Sequence, residues 1–407
     1  MKKFFNLMIF LLVILSFSCA KSDNVKKVEN QDNTFSKNLN FYNLFGFELL
    51  NRLYDKDENV VISPFSISSA LAITYEGAGG ETEKEIKKVF HFPDKEVLRG
   101  IYSKEIRYFD KESKEITVKI SNGLWMEKSY SFKDEYPKTV KENYKSFAEK
   151  VDFVNQTEES RLKINKFIED FTEQKIKDFL PKGIIDKSTT LVITNAIYFN
   201  AIWKKQFEKK YTFEEDFIVD GDKKVKCKMM STDLEQPLKY FENDKFFIVE
   251  FPYADTNYSA IFLVPFDGMK SIFPLDYVDL KNCFDSMRFE KFDRISFPKF
   301  KLEKKYLLND VLIEMGMKKS FTPEADFSYM TDYNDLYISN VIHQSFLKVD
   351  EEGSEAAAAT GVIIVKETAV IQKRILKINR PFLFFIVENQ TGDILFVAKI
   401  ENPHFEE

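Results

Sequence analysis

The chain has 407 residues, of which 44% are hydrophobic and 30% are charged. This composition excludes an intrinsically disordered protein, because such a chain can bury enough apolar surface to offset the entropy lost on folding. The formal net charge is -6, and no cluster of lysine and arginine is interleaved with aromatic residues, so nucleic-acid binding is not expected. The 42 phenylalanines predict a large core rich in aromatic side chains.

The first residues have the pattern of an export signal. Two lysines precede an apolar run, Phe4 to Phe17, that is too short for a comfortable membrane span and matches the core of a signal peptide. The sequence LSFSC that follows is similar to the cleavage box of a bacterial lipoprotein, with a small residue directly before Cys19. We therefore predict a signal peptide over residues 1–18, a lipid on Cys19, and a membrane-anchored protein at the cell surface or on the periplasmic side.

An alternative stays open, because Phe17 departs from the tightest form of the lipoprotein box. An ordinary secretory signal cut near Ala20 would release a secreted protein instead. Residues 19–38 are rich in Asn, Lys, Asp, Ser and Gln, which predicts a flexible tether, and a single folded domain is expected over residues 39–407.

Catalytic and metal-binding signals are missing from the sequence. Cys227 and Cys283 are too few for a disulfide framework and are expected to be core thiols. No Cys-x-x-Cys or His-x-x-x-His spacing occurs, so neither a metal nor another cofactor is predicted. With three histidines and no Gly-x-Ser-x-Gly, phosphate-loop or HExxH motif, the chain is not expected to be an enzyme.

Hydrophobic periodicity predicts helices and strands through the first half of the chain. A helix begins near Asn38, and a short buried strand covers Val60–Ile62. Ser66 is expected to cap the helix that follows this strand. A long amphipathic helix is predicted over Thr157–Leu180. Its inward face should carry Leu162, Ile164, Phe167, Ile168 and Phe171. Two longer strands are predicted over Ile116–Met126 and Leu191–Asn200.

The second half is predicted to be mostly strands. They cover Val225–Met230, Phe246–Pro252, Tyr258–Pro265, Ile295–Leu302, a part of Leu336–Val349, Pro381–Glu388 and Ile394–Ile400. A short helix is expected over Leu307–Met317. No internal repeat and no linker occur after Asn38, so an α+β fold with a large mixed sheet fits best.

The segment Val349–Ala369, VDEEGSEAAAATGVIIVKETA, has conflicting local preferences. Its four alanines favour a helix, whereas Val-Ile-Ile-Val favours a strand. Such a conflict is typical of a segment that changes state. A solvated low-complexity loop is the alternative, but four adjacent β-branched or strand-forming residues argue against it.

Five motifs, in the expected order, resemble those of the serpin family from about Leu39 to Pro403. They are ISPFSISSAL from Ile62, TNAIYFNAIW from Thr194, ISFPKFKLEKKYLLNDVLIEMGM from Ile295, EEGSEAAAAT from Glu351 and RPFLFFIVENQTGDILFVAKIENP from Arg380. The resemblance implies an α+β serpin fold with three β-sheets, about nine helices and an exposed reactive-centre loop.

The resemblance also implies a function. Inhibitory serpins offer this loop to a serine or cysteine protease, form a covalent acyl-enzyme, and trap it when the cut loop inserts as a strand into the main sheet. We expect a monomeric inhibitor of this kind, with a protease as its partner. The alternative is a non-inhibitory serpin that acts as a surface binding or adhesion lipoprotein.

Site residues are carried over from the family motifs one by one. The hinge residues are Glu351, Gly353, Ser354, Ala356, Ala357, Ala358, Ala359 and Thr360. The shutter, a polar cluster beneath the sheet, is expected to contain Ser63, Ser66, Asn195 and His343. The breach, where insertion starts, is expected to contain Trp203, and Lys299 and Glu351 are predicted to form an ion pair there.

The hinge sequence suits insertion, because alternate side chains of a central strand enter the core. Counted from Ser354, no inward position is charged, and Glu355 falls on the solvent side. Gly353 is expected to supply the backbone freedom that a hinge needs.

The sequence allows more than one register for the bond that the protease attacks. Counting from Glu351 at the family's spacing places it at Glu367–Thr368. The alternatives are Lys366, which would suit a trypsin-like protease, Val365 and Val370.

Overall fold

The computed structural model describes residues 40–55, 57–109, 111–221, 223–354 and 373–405, which all lie in one unit, Thr34–Glu407. These residues form an α+β fold with three sheets, as expected. The described helices number eight, close to the nine or so expected, with three short 3₁₀ turns besides. They are α1 (Phe41–Arg52), α2 (Pro64–Gly77), α3 (Gly80–Val89), α4 (Lys95–Phe109), α5 (Glu135–Tyr144), α6 (Thr157–Phe171), α7 (Tyr277–Asp285) and α8 (Asn309–Met315).

The strands are numbered β1 to β18 along the chain. The first nine are β1 (Val60–Ile62), β2 (Lys111–Glu112), β3 (Ile116–Glu127), β4 (Phe147–Val151), β5 (Leu191–Ile202), β6 (Phe213–Asp220), β7 (Lys223–Asp233), β8 (Leu238–Glu242) and β9 (Phe246–Pro252). The others are β10 (Tyr258–Pro265), β11 (Arg288–Glu290), β12 (Arg294–Pro298), β13 (Phe300–Leu307), β14 (Asn340–Val349), β15 (Gly353–Ser354), β16 (Ile375–Lys377), β17 (Phe382–Glu388) and β18 (Ile394–Ile400).

Three sheets position the hinge. The main sheet has the order β13-β14-β15-β5-β3-β2, with β4 paired to β3. A second sheet has the order β1-β18-β17-β10-β9-β8-β11, and a third has the order β16-β12-β7-β6. Strands β5 and β14, which both precede the hinge in sequence, flank β15 in the main sheet and also pair directly with each other.

The cap predicted for the second helix is wrong by three residues. Ser63, not Ser66, is the N-cap of α2, because Ser63 is extended and its side chain accepts a hydrogen bond from the Ser66 backbone N–H. Pro64 then occupies the first turn of the helix, where its missing N–H costs nothing.

The long helix predicted over Thr157–Leu180 is also wrong, because α6 ends at Phe171. Glu173 and Gln174 adopt positive φ, which a right-handed helix cannot continue through. Leu162, predicted to face inward, is 51% exposed. The apolar periodicity misled the prediction because the residues after α6 are buried without being helical.

The predicted strand Ile295–Leu302 is two strands in different sheets. β12 ends at Pro298 and belongs to the third sheet, whereas β13 begins at Phe300 and belongs to the main sheet. Pro298 has no N–H for a ladder, so the chain changes sheets there. Lys299 consequently lies at the junction of two sheets.

One face of the main sheet is covered by α6 and by residues 172–190, here called the crossing segment. Its Ile176 and Phe179 lie in a buried apolar cluster with Ile342 and Phe346 of β14. The Lys305 ammonium on β13 donates a hydrogen bond to the Asp178 carbonyl (2.6 Å). The crossing segment therefore passes over the boundary between β5 and β14.

Neither cysteine among the described residues forms a disulfide. Cys227 is buried and Cys283 is partly buried, which agrees with their prediction as core thiols. No helix in the described ranges is long and apolar enough to cross a membrane. Cys19, predicted to carry lipid, lies outside the described residues.

Candidate functional site

The hinge begins inside the main sheet. Gly353 pairs with Ile202 and Ser354 pairs with Ala201 of β5, while Ser354 also pairs with Val349 of β14. The short strand β15 thus lies between β5 and β14 and is antiparallel to both. Farther along, these two strands pair directly and in parallel, through residues 192–197 and 340–345. We call this directly paired boundary the seam.

Gly353 is required by the close approach of two backbones. A Cβ at this position would overlap the Ala201 carbonyl oxygen and lie 2.7 Å from the Ile202 Cα. Gly353 is not among the glycines with positive φ. Space and not backbone freedom therefore excludes a side chain at Gly353, and its role as a hinge stays a prediction.

Ser354 faces the core. Its side chain is 1% exposed, and its hydroxyl shares a hydrogen bond with the Tyr253 hydroxyl (2.6 Å). If the strand continued beyond Ser354, every second residue would lie on the same face. The later hinge residues Ala356, Ala357, Ala358, Ala359 and Thr360 lie outside the described residues. So do the candidate reactive residues Val365, Lys366, Glu367, Thr368 and Val370.

Trp203 holds the turn that leads into the hinge. Its indole N–H donates to the Asp350 carbonyl (2.9 Å), and its backbone N–H donates to the Glu352 carbonyl (2.8 Å). The indole ring stacks on the Tyr253 ring, with centroids 4.5 Å apart. Residues 350–352 are therefore fixed by backbone hydrogen bonds before the hinge begins.

The predicted neighbours Lys299 and Glu351 are in contact, with Nζ and Oε2 2.9 Å apart and side chains only 12% and 4% exposed. Thr212 also donates to Glu351 Oε1 (2.7 Å). Burial alone would raise the pKa of Glu351, but the hydrogen bonds from Lys299 and Thr212 and the lysine charge lower it overall. Glu351 is thus held as a carboxylate at the start of the hinge.

A second ion pair supports the same turn. Lys348 Nζ lies 2.8 Å from Asp350 Oδ2. The other carboxylate oxygen, Asp350 Oδ1, accepts the backbone N–H of Glu352 (3.0 Å). The carboxylate therefore links a β14 lysine to the backbone that enters β15.

The four predicted shutter residues form one buried polar cluster. Asn195 and His343 face each other across the seam, with Nδ1 and Oδ1 2.6 Å apart. The Asn195 amide donates to the Ser66 hydroxyl (2.6 Å), and the Ser63 backbone N–H donates to His343 Nε2 (3.2 Å). The cluster thus joins α2 to both strands that insertion must separate.

His343 is neutral in this cluster. Its Nε2 accepts from a backbone N–H, which can only donate, so the ring proton is on Nδ1. Complete burial lowers the pKa of His343 to about 3.

Sequence reasoning missed several partners of these residues. Asn122 accepts from the Asn195 amide (2.7 Å), and Ser345 lies 2.6 Å from His343 Nε2. Thr212, Tyr253 and Phe405 join the breach. Ser345 alone had a local signal, because strand alternation places residue 345 on the same face as His343. The other partners are distant in sequence from the residues they contact, so no local pattern indicates them. The alternation of β3 could only have indicated that Asn122 is buried.

No group of three or more histidine, cysteine, aspartate and glutamate residues that could hold a metal occurs within the part of the chain that the structure describes. The buried polar groups of the site have protein partners, and what the arrangement can do is mechanical: it can hold two strands together or let them part.

Comparisons with known proteins agree on one family. The family model described as Serpin (serine protease inhibitor) matches residues 40–403. The chain is 36% identical to Serpin B3 from Homo sapiens over 387 residues, covering 88% of this chain and 97% of that protein. It is 33% identical to Leukocyte elastase inhibitor A from Mus musculus over 373 residues, covering 88% and 98%.

A solved structure is also similar. Human thyroxine-binding globulin complexed with thyroxine aligns with a TM-score of 0.81 and 27% identity, covering 90% of this chain and 98% of that one.

Proposed function

The chain belongs to the serpin family, and on this premise we propose that it is a suicide-substrate inhibitor of a serine or cysteine protease rather than an enzyme. The protease attacks the reactive loop and forms an acyl-enzyme. The cut loop then inserts as a strand along the seam and carries the protease with it. Trapping follows because the distorted protease cannot complete hydrolysis.

The observation that carries this proposal is the position of β15. Gly353 and Ser354 already pair with β5 on one side, and Ser354 with β14 on the other. A strand that continues from Ser354 would separate the parallel pair β5–β14 and be antiparallel to both. Antiparallel pairing is slightly more stable per residue, and one ladder is replaced by two. The gain in strand pairing therefore favours the inserted state over the present one.

The hinge sequence offers little resistance to insertion. Ser354 faces the core, so Ala356, Ala358 and Thr360 would follow it inward, and none of them is charged or large. A charge at one of these positions would have to be buried, at a cost of several kcal/mol.

A protease panel tests the proposal directly. The protein is incubated with serine and cysteine proteases of different specificity and then analysed by denaturing electrophoresis. We expect a complex that survives denaturation. If no protease in a panel that cleaves the loop forms such a complex, the inhibitor function is wrong.

Two matched variants test the insertion register. Ala356→Arg places a charge on the inward face and should turn the inhibitor into a substrate that is cut but forms no complex. Ala357→Arg places the same charge on the solvent face and should keep most of the inhibition. Equal behaviour of the two variants would contradict the register.

The attacked bond remains a prediction. We propose Glu367–Thr368, with Lys366, Val365 and Val370 as alternatives. Mass spectrometry of the peptide released from the trapped complex identifies the cut bond, since each alternative gives a different mass.

We also propose that the protein is exported, cut before Cys19 and anchored by lipid at the cell surface or periplasmic side, with residues 19–38 as the tether. The alternative is secretion after cleavage near Ala20. A Cys19→Ala variant should lose membrane association in cell fractions if the lipid is the anchor. Unchanged association would exclude Cys19 as the anchor.

A second function is a surface binding or adhesion serpin that does not trap proteases. The similar structure is named for binding thyroxine, which is not a protease, so the fold alone does not decide. Loop cleavage separates the two functions. A binding serpin whose loop cannot insert would gain no thermal stability when the loop is cut.

A further inference from the structure

The end of the chain reaches the hinge. The Lys301 backbone N–H on β13 donates to the His404 carbonyl (2.8 Å), so the tail lies beside β13. The next residue, Phe405, places its ring 4.1 Å from Lys299 Nζ and 5.8 Å from Lys348 Nζ. These ammonium groups pair with two acidic residues of the hinge turn, Glu351 and Asp350.

Phe405 therefore completes a chain of contacts into the hinge. The ring contacts Lys299, and Lys299 holds Glu351 at 2.9 Å. The Glu351 carbonyl accepts the backbone N–H of Phe207 (2.8 Å). Glu351 lies two residues before Gly353, the first residue of β15. The face of an aromatic ring attracts a cation, and more strongly where water is excluded. Lys299 is only 12% exposed, so water is largely excluded from its contact with the ring.

The position of the ring also explains why a buried lysine is tolerated there. A lysine ammonium has three N–H donors, and Glu351 takes the one at 2.9 Å. The ring face is a second partner for the cation and is not a carboxylate that competes with Glu351.

We propose that Phe405 is a positioning residue for the hinge: its cation–π contact with Lys299 keeps Glu351 and the turn after it in place, so that Gly353 and Ser354 stay seated between β5 and β14. This inference rests on the proposed inhibitor function, which it deepens. A seated hinge starts insertion as soon as the loop is cut. A loose hinge starts later, and more protease completes hydrolysis and escapes.

Three variants separate the ring from its bulk. Phe405→Leu keeps an apolar side chain but removes the aromatic face. Phe405→Tyr keeps the face and should behave as the unchanged protein. His404→Ala removes an exposed neighbouring side chain and leaves the His404 carbonyl, so it controls for disturbance of the tail.

Hydrogen exchange of the uncleaved protein is the first measurement, because it requires no protease. In Phe405→Leu we expect the backbone amides of Trp203, Phe207 and Glu352 to exchange roughly tenfold faster, the size of a partly desolvated cation–π contact. Amides of β17 and β18, which lie in another sheet, should not change and serve as the internal reference for folding.

The second measurement is the number of inhibitor molecules consumed per protease trapped. Phe405→Leu should raise this number several-fold, whereas Phe405→Tyr and His404→Ala should not. Unchanged exchange in Phe405→Leu overturns the positioning role, whatever the inhibition assay gives. Faster exchange together with no protease complex from the unchanged protein overturns the inhibitor function and leaves the role of the tail in holding the hinge supported.

Discussion

Glu351 keeps a carboxylate charge where its side chain is only 4% exposed. Such a charge is stable only while its partners remain, since an isolated buried charge is strongly unfavourable. Lys299 and Thr212 supply those partners. At the scale of single residues, the hinge is therefore set by one charge and the groups that compensate it.

Removing the lysine should loosen the hinge. Lys299→Met leaves the Glu351 charge without its cation, and we expect the native state to lose roughly 3–5 kcal/mol, as for other broken buried pairs. Lys299→Arg keeps the charge and should lose much less. Urea unfolding of the three proteins at neutral pH measures the difference, and equal midpoints for Met and Arg would contradict it.

The same pair predicts a pH effect. The pKa of Glu351 is lower in the folded protein than its ordinary value, so the pair stabilises the fold at pH above about 4.3. Its contribution is lost as the pH falls through the lowered folded-state pKa. Exchange protection of the Glu352 amide should therefore fall at pH below about 4.3, and Glu351→Gln, which has no charge to lose, should show no such fall.

His343 predicts a separate pH effect in the shutter. Its pKa is lowered to about 3, whereas an unfolded histidine titrates near 6.5, so the unfolded chain binds the extra proton between these values. Stability should fall by up to about 1.4 kcal/mol for each pH unit below about 6.5. His343→Gln should flatten this part of the urea-midpoint profile, and His404→Gln should not. A profile that His343→Gln leaves unchanged would show that another group causes the slope.

At the scale of elements, β15 has only two residues, yet it is the part of the hinge that lies in the main sheet. It has room between β5 and β14 only because Gly353 has no Cβ. The space at residue 353 thus determines whether β15 can pair with β5.

Gly353→Ala should expel the hinge from the sheet. The added Cβ overlaps the Ala201 carbonyl, so the pairing of β15 with β5 cannot persist. We expect loss of exchange protection at Glu352 and slower trapping of protease. Gly100→Ala is the control, because a Cβ in this helical position meets nothing within 4 Å and should stabilise α4 by about 0.5–1 kcal/mol.

The crossing segment predicts a second effect at this scale. Lys305 on β13 binds the Asp178 carbonyl on one side of the seam, and Lys119 on β3 binds Glu173 on the other, both at 2.6 Å. An inserted strand would move the two sides of the seam apart by about 4.8 Å, so at least one of the two contacts would have to break. The crossing segment is therefore a restraint on insertion.

Lys305→Met should release that restraint and speed insertion after the loop is cut. Tryptophan fluorescence can follow the rate, since Trp203 lies at the hinge. Lys304→Met is the matched control, because Lys304 pairs with Glu58 and not with the crossing segment. Equal rates for the two variants would mean that the Lys305 contact does not limit insertion.

At the scale of the whole molecule, the feature to test is the strand pairing that the main sheet would gain from an inserted loop. β5 and β14 form one parallel ladder along the seam, whereas an inserted loop would form two antiparallel ladders in its place. Cutting the loop should therefore raise the midpoint of thermal unfolding well above that of the intact protein. Calorimetry before and after cleavage by a protease that the protein does not inhibit measures this change, and no rise would argue for the binding function instead.

Much of the fold could be predicted from local pattern. β1, β5, β17 and β18 were anticipated closely because continuous apolar runs predict buried strands. The end of α6 was not, because the apolar residues of the crossing segment have helical spacing although the chain there has left the helix. Ser66 was predicted as the cap, but it lies inside α2, and only the extended backbone of Ser63 identifies the cap.

The sequence of the hinge determines those of its properties that depend on local chemistry alone. Small uncharged residues at alternate positions after Gly353 favour the proposed insertion as a central strand, because side-chain size, charge and strand period are local properties. Only the tertiary structure decided that Gly353 and Ser354 are already seated, and that Phe405 stands over Lys299. Those contacts depend on the path of the chain between residues about a hundred or more positions apart, which no local pattern carries.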